Sequence, residues 1–501
     1  MLPAVNSPEQ KAGLAYWANR VLEECDKASA GFAADAVHDL RVAIRRCRSM
    51  ADGFLSVDPD PAWRQMKKLA KPLFSSLGDL RDTQVMLEWV AKLAHAHDPV
   101  NASLSAALTL KEAELKVAAQ QALASFDRKQ WTSLNAHLAT RTGKIPLEGL
   151  VFQHLALERW IEARELHRRA LRNRSSVAYH QLRIGIKRFR YTVENFLPQR
   201  HARWARDLRA LQDALGEVHD LDVLRAMIRA HSDLPADERA RWQQRISEER
   251  VKRLDLYRRK MMGGHSLWQV WRAELPSGAD LEQAAMEKLR TWASFLDPDV
   301  AHSARVTRLA LQLYDGLCHF GMLRRSAEQY RILEAAAILH SVGRSKDSDG
   351  QGNHQKRGCR MIARSTPPLG WSTQDMHCVA ALVRYHRGAL PVASNSSFVG
   401  LTSKQRKQVM TLIGILRLAN ALDETHDESI SELTIDGRNG SLLIDAEGLQ
   451  QFSRNAEHIA RARYLLETIL RQPILVRPSP KKKTAPTRRL KSQGHVAGAL
   501  S

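Results

Sequence analysis

VHDLRVAIRRCRSMADGF at residues 37–54 and YHQLRIGIKRFRYTVENF at 179–196 are one helical pattern written twice. Their histidines, His38 and His180, set an offset of 142 residues. In the first copy His38, Arg41, Arg45 and Arg48 are spaced 3, 4, 3; His180, Arg183, Lys187 and Arg190 repeat that spacing. Residues three and four apart share a helix face, so each copy predicts a ladder of cations. A separate apolar stripe runs through Leu40, Ile44, Cys47, Ala51 and Phe54, and through Leu182, Ile186, Phe189, Val193 and Phe196. Each helix is therefore expected to pack on one side and to present positive charge on another. Like charges at this spacing cost a few tenths of a kcal/mol per pair. An ordinary solvated face would intersperse Glu with Lys and has no need of a histidine at one end.

A second block follows each helix. KPLFSSLGDLRDTQVM at 71–86 matches RALQDALGEVHDLDVL at 209–224, with an offset of 138 from Gly78 to Gly216. Lys68 and Lys71 are matched by Arg206 and Arg209. The glycines predict a turn or a close helix approach. Asp82 and Asp220 are read either as caps of a following helix or as groups that orient a ladder arginine. The four residues lost between the offsets are placed in the connection between blocks.

The length, 501 residues, predicts two or three domains. Lys and Arg number 76 against 54 Asp and Glu, a net charge of +22, which calls for an acidic partner. Aromatics at 6% weigh against single-strand nucleic-acid binding, which uses stacking platforms. Five scattered cysteines suit a reducing compartment. The N-terminus lacks a signal-peptide pattern and no long uncharged apolar run occurs, so a cytoplasmic protein with no membrane partner is expected. Helical periodicity runs from about residue 8 to 270, with breaks at Gly263-Gly264 and Pro276-Ser277-Gly278, and resumes from 281 to 475. A loop is expected at 341–353 and a β-hairpin at 433–444, where Asp-Gly and Asn-Gly are turn signals. The segment 476–501 reads as a basic disordered tail.

These two pairs of motifs resemble the CHAD domain, the conserved-histidine α-helical domain, over residues 8–270. The resemblance implies an all-α, pseudo-symmetric pair of helical bundles around a basic cavity that binds inorganic polyphosphate. It implies that His38, Arg41, Arg45, Arg48, His180, Arg183, Lys187 and Arg190 line the cavity, with Arg46 and Arg188 as supports. Lys68, Lys71, Arg206 and Arg209 join the candidate set. The second copy departs from the pattern at His219, where the first has Arg81.

Residues 296–425 carry another constellation: AHSARVTRLA from Ala301, LEAAAILHSVGR from Leu333, LVRYHR from Leu382 and ILRLANALD from Ile415. It resembles the HD superfamily, and more closely the C-terminal helical module of exopolyphosphatase and guanosine-pentaphosphate phosphatase proteins. An active HD site holds a metal on His, a His-Asp pair and a distal Asp. Here the pair is His340-Ser341, which argues against catalysis. His302, His340 and Asp423 remain as metal candidates, with His354 and His386 as further ligands. In a third reading His354, Lys356, Arg357, Arg384, His386 and Arg387 contact phosphate without hydrolysis.

The expected protein is thus all-α, with tandem bundles (8–270), an HD-like helical module with one small hairpin (281–475) and a basic tail (476–501). No catalytic residue and no cofactor is expected, a divalent metal in the HD-like module being the alternative. The expected partner is polyphosphate, with association to polyphosphate granules and nucleic acid only as a competing polyanion. The rival functions are a metal-dependent phosphohydrolase acting on polyphosphate or a phosphorylated nucleotide, and a non-specific nucleic-acid binder.

Overall fold

The computed structural model describes residues 13–95, 98–230, 234–346, 353–392, 394–426, 428–438, 440–450 and 456–479. The chain divides into two compact units: Met1–Phe295 with Pro367–Trp371, and Leu296–Thr366 with Ser372–Ser501. No helix among the described residues is long and apolar enough to cross a membrane.

The first unit is helical throughout its regular structure. Its helices are α1 (Leu14–Ala28), α2 (Ala34–Phe54), α3 (Pro61–Leu69), α4 (Lys71–Leu93), α5 (Pro99–Ala124), α6 (Arg128–Thr142), α7 (Leu150–Asn173), α8 (Ser176–Phe196), α9 (Pro198–Ala230), α10 (Ala236–Met261), α11 (Leu267–Ala273) and α12 (Gly278–Ser294). The Gly263-Gly264 break lies between α10 and α11, and the Pro276-Ser277-Gly278 break between α11 and α12.

The repeat predicted from sequence is a structural one. Helices α2 and α8 carry the ladders, α4 and α9 the second block, and α5 and α10 pack on those in turn. The apolar stripe is what fixes the ladder helices: Leu40, Ile44, Cys47, Leu182, Ile186 and Phe189 are fully buried. The four-residue difference between offsets also has a concrete form. A loop, 55–60, and the separate helix α3 join the first pair, with Asp60 capping α3 ahead of Pro61. In the second copy Leu197 alone separates α8 from the 33-residue α9.

The two ladder helices also meet each other. Phe54 and Phe196, equivalent positions, touch edge to face with centroids 5.4 Å apart, and Phe152 stacks on Phe196 at 4.2 Å. Gly53 allows this closeness, because a Cβ there would lie 2.3 Å from the Phe196 ring.

In the second unit, α13 (Val300–His319), α14 (Ala327–Leu339), α15 (His354–Ala363), α16 (Thr373–Tyr385) and α17 (Ser403–Leu422) surround a core in which α17 is buried along most of its length. The expected hairpin forms from β1 (Leu433–Arg438) and β2 (Ser441–Ala446). Gly437 pairs with Leu442 inside the ladder, so Asp436-Gly437 is strand and not turn. After α18 (Ala456–Leu470), strand β3 (Ile474–Pro478) adds in parallel to β2. That third strand was not expected. Its backbone is paired by residues far away in sequence, and it occupies the start of the segment read as a tail. The rest of that segment, from residue 480, lies outside the described residues.

Candidate functional site

Helices α2 and α8 pack on one another, and their cations act on each other. Lys187 on α8 is held down to about 7, first by burial, then by Arg183 of its own helix and by Arg45 and Arg41 of α2. Arg45 also lies over the Tyr191 ring of α8, 5.4 Å from its centroid.

Arg41 and Arg48 are held by neutral partners. The Arg41 guanidinium donates to the Phe74 carbonyl at 3.2 Å and lies over the Phe74 ring; Arg48 donates to the Lys67 carbonyl at 2.9 Å and flanks the same ring. Bonds of this kind orient a guanidinium without cancelling its charge. Gly78 is part of the same device. A Cβ there would come within 2.8 Å of the Arg41 guanidinium, so the glycine marks a close approach. No turn occurs there: Gly78 and Asp82 are interior to α4, and Gly216 and Asp220 to α9. The aspartates therefore cap nothing. They act instead on the ladder, Asp82 favouring the charged form of Arg41 and Arg183 favouring that of Asp220.

The histidines differ between copies. His38 is exposed, and its pKa is lowered by partial burial and by Arg81 and Arg45. His180 has a histidine neighbour, with its Nδ1 3.2 Å from Nδ1 of His219. His219 is pushed down to about 4, by burial and then by Arg183, His180 and Lys187. Position 219 is therefore part of the cluster, as is its equivalent Arg81, which acts on both His38 and Arg41. The repeat alignment could have found both, because they hold equivalent places beside the ladder histidine.

Acids reach the edges of the cluster. Burial lifts Asp220 to about 6, with Arg183 opposing and Asp82 adding to the rise. Among the ladder cations, Arg190 stands 3.6 Å from Glu194. Arg46 is engaged by Glu194 and by Asn195 Oδ1 at 2.9 Å. Arg188 is exposed and pairs with Glu162 of α7 at 2.6 Å. These two arginines tie helices together and stand apart from the rows. Lys68, Lys71, Arg206 and Arg209 are exposed on α3, α4 and α9. Arg183 Nε is buried with no hydrogen-bond partner among the described residues.

The second unit gathers its own group. His302 Nδ1 lies 2.7 Å from Asp423 Oδ2, and His302 Nε2 is 3.2 Å from His340 Nε2. The Nδ1 atoms of His340 and His386 lie 2.7 Å and 2.8 Å from the carbonyls of Ala337 and Val383. Burial drives His340 down to about 3 and His386 well below its ordinary value, so both are neutral near pH 7. His426 stacks on His302 at 3.8 Å. Asp423 is occupied by Arg305, whose Nε is 2.9 Å away, and by His302 Nδ1. It thus faces the outer nitrogen of His302, away from the side His340 approaches, and does not complete a ligand set with His302 and His340. No group of three or more His, Cys, Asp or Glu among the described residues is arranged to hold a metal ion. Ser341 is fully buried, and its hydroxyl has no hydrogen-bond partner among the described residues.

Fold and site together define a helical tandem-repeat protein with a cation-lined cluster at the junction of its repeats, joined in sequence to a module with a buried histidine group. Residues 14–229 match the CHAD domain, and residues 284–459 match Ppx/GppA phosphatase, domain III. The chain thus carries a CHAD domain and a Ppx/GppA domain III module, and the pair associates it with polyphosphate-related function. Among solved structures, the CHAD domain from the plant Ricinus communis is similar at 23% identity, covering 49% of this chain and 88% of that one, with a TM-score of 0.40. No curated protein matches the chain.

Proposed function

We propose that the protein binds inorganic polyphosphate along the two cation rows of α2 and α8, without hydrolysing it there. The observation that carries this reading is the packing of α2 on α8, which sets Arg45 over the Tyr191 ring of the opposite helix, 5.4 Å from its centroid, and brings Arg41 and Arg45 to bear on Lys187. It means that one extended anion can meet both rows. Polyphosphate carries a charge on every unit, and a groove that replaces its counterions with fixed cations gains affinity with a steep dependence on salt. Arg41 and Arg48, oriented by the Phe74 and Lys67 carbonyls and by the Phe74 ring, suit phosphate oxygens in forked geometry. Lys187 adds a switchable charge, since a phosphate chain beside it favours its protonated form.

The binding set in this reading is His38, Arg41, Arg45, Arg48, His180, Arg183, Lys187 and Arg190, extended by Arg81 and His219. Lys68, Lys71, Arg206 and Arg209 lie on the approach. Residence at polyphosphate granules follows from the same affinity.

Titration with long-chain polyphosphate and with duplex DNA at several salt concentrations tests the proposal. Polyphosphate binds more tightly at every salt and displaces DNA. DNA that holds its place against polyphosphate at moderate salt would overturn it.

A further inference from the structure

At the α8 end of the second repeat lies a cavity of about 620 Å³, whose lining includes Arg174, Ser176, Asp222, Arg225, Arg229 and Arg250. Four arginines and one carboxylate thus border one space. Arg250 uses that carboxylate, with its Nε 2.8 Å from Asp222 Oδ1. Four arginines less the one paired leaves Arg174, Arg225 and Arg229 around the space. Arg225 Nε is buried with no hydrogen-bond partner among the described residues. Ser176 opens α8, whose N-cap Ser175 accepts from the Ala178 N–H at 3.2 Å. The remaining first-turn N–H groups and the helix dipole favour an anion at this end.

The first repeat forms the equivalent corner without these arginines. By the repeat offsets, Arg174 and Ser176 correspond to Phe32 and Ala34, and Arg225 and Arg229 to Leu87 and Ala91. The backbone is the same at the turn: Phe32 and Arg174 both lie in the left-handed region, at φ 55° and 50°. The Asp222–Arg250 pair also has its equivalent, a hydrogen bond from Gln84 to Glu112 at 3.1 Å, across the same separation of 28 residues. One repeat therefore builds this corner from apolar side chains and one amide-to-carboxylate hydrogen bond, with no arginine. The other builds it from mutually repelling guanidiniums, which cost stability unless an anion sits among them.

We propose that this corner is a discrete phosphate site, present only in the second repeat, that takes a dianionic terminal phosphoryl group. His180 is one turn along α8 from Ser176, and His219 is three residues before Asp222 on α9. A phosphate chain lying on the ladder and passing the His180–His219 pair reaches the cavity with its end. The chain-end role rests on the polyphosphate reading; the phosphate site itself does not. Orthophosphate is the other source of the same chemistry.

The test gives the second repeat the residues of the first, Arg225→Leu with Arg229→Ala, in the full-length protein. Calorimetric titrations use orthophosphate, linear tripolyphosphate, cyclic trimetaphosphate (which has no terminal group) and long-chain polyphosphate. Circular dichroism and the unfolding midpoint confirm the fold, and a second variant, Arg225→Lys with Arg229→Lys, keeps charge but loses the fork. Wild type binds the linear triphosphate more tightly than the cyclic one, and the Leu/Ala variant weakens linear binding by roughly tenfold while leaving the cyclic form unchanged. The Lys variant falls between. Orthophosphate binding that the variant loses identifies free phosphate as a ligand; binding of the linear form alone identifies a chain end. If the variant binds the linear form as wild type does, or loses linear and cyclic equally, the site does not exist. Should long-chain polyphosphate fail to bind wild type while orthophosphate or tripolyphosphate binds and is lost in the variant, the groove reading falls and this site stands.

Discussion

The two repeats present the same 3-4-3 row of cations in different electrical states. In the first, Arg41 lies over Gly78, anchored to the Phe74 carbonyl, and His38 is exposed. In the second, a Cβ on Gly216 would meet nothing within 4 Å, Lys187 is held near 7, and Asp220 is lifted to about 6. The arginines of the first row are permanent charges. In the second, Lys187 loses its proton near neutrality, because burial and then Arg183, Arg45 and Arg41 disfavour its charged form. One motif therefore supplies both permanent grip and a charge that responds to pH and to the bound anion.

The strongest way to break this comparison is to reverse a charge in each row. Arg45→Glu with Lys187→Glu lowers polyphosphate affinity by about 100-fold or more at low salt. Helicity by circular dichroism is retained, because both side chains lie outside the apolar stripe. Unchanged affinity would return both rows to the status of a solvated face.

The pH response separates the rows. Free Lys187 loses its proton through about pH 7, so affinity falls as pH rises from 6 to 8, by roughly three- to tenfold for one charge in the groove. Lys187→Arg flattens that profile, whereas Arg45→Lys leaves its shape intact. The stability effect has the opposite sense. Between about pH 7 and 10.5 the unfolded chain holds a proton on Lys187 that the folded chain has released, so this group's contribution to stability increases with pH across that window. Asp220 works in reverse between 3.8 and about 6, where the folded chain holds the extra proton and stability falls as pH rises. Lys187→Met accordingly stabilises the protein at pH 7 by about 1 kcal/mol or more while weakening polyphosphate. A lower unfolding midpoint for this variant would show that Lys187 supports the fold.

At the repeat junction the asymmetry is steric. Gly53 faces the Phe196 ring, while its equivalent, Asn195, carries a side chain that bonds Arg46 and Ser49. Gly53→Ala overpacks the buried aromatic contact and costs about 1–3 kcal/mol in chemical denaturation. The smallest effect belongs to Arg188, which lies next to the second row in sequence but pairs with Glu162. Arg188→Ala changes stability by less than about 0.5 kcal/mol and leaves polyphosphate affinity within twofold. A larger loss of affinity would return Arg188 to the binding set.

The sequence by itself determined the helical class, the repeat, its breaks and the identity of the ladder. These follow from periodicity along one chain, which a helix converts directly into faces. It also supplied His302, His340, His354 and His386 of the second unit, through spacing and resemblance, but not His426, which stacks on His302. What it left open is what depends on contacts between segments distant in the chain. Arg45 and Lys187 are 142 residues apart, and only packing of α2 on α8 brings their charges together. Arg46 and Arg188 match each other in the repeat, and their acidic partners, Glu194 and Glu162, lie 148 and 26 residues away. Asp423 faces Arg305 and the outer nitrogen of His302 because α13 and α17 pack as they do. Strand β3 exists because β2 offers it an edge. Spacing along a helix fixes direction within that helix, whereas protonation, pairing and shared cavities depend on distances that only the tertiary fold sets.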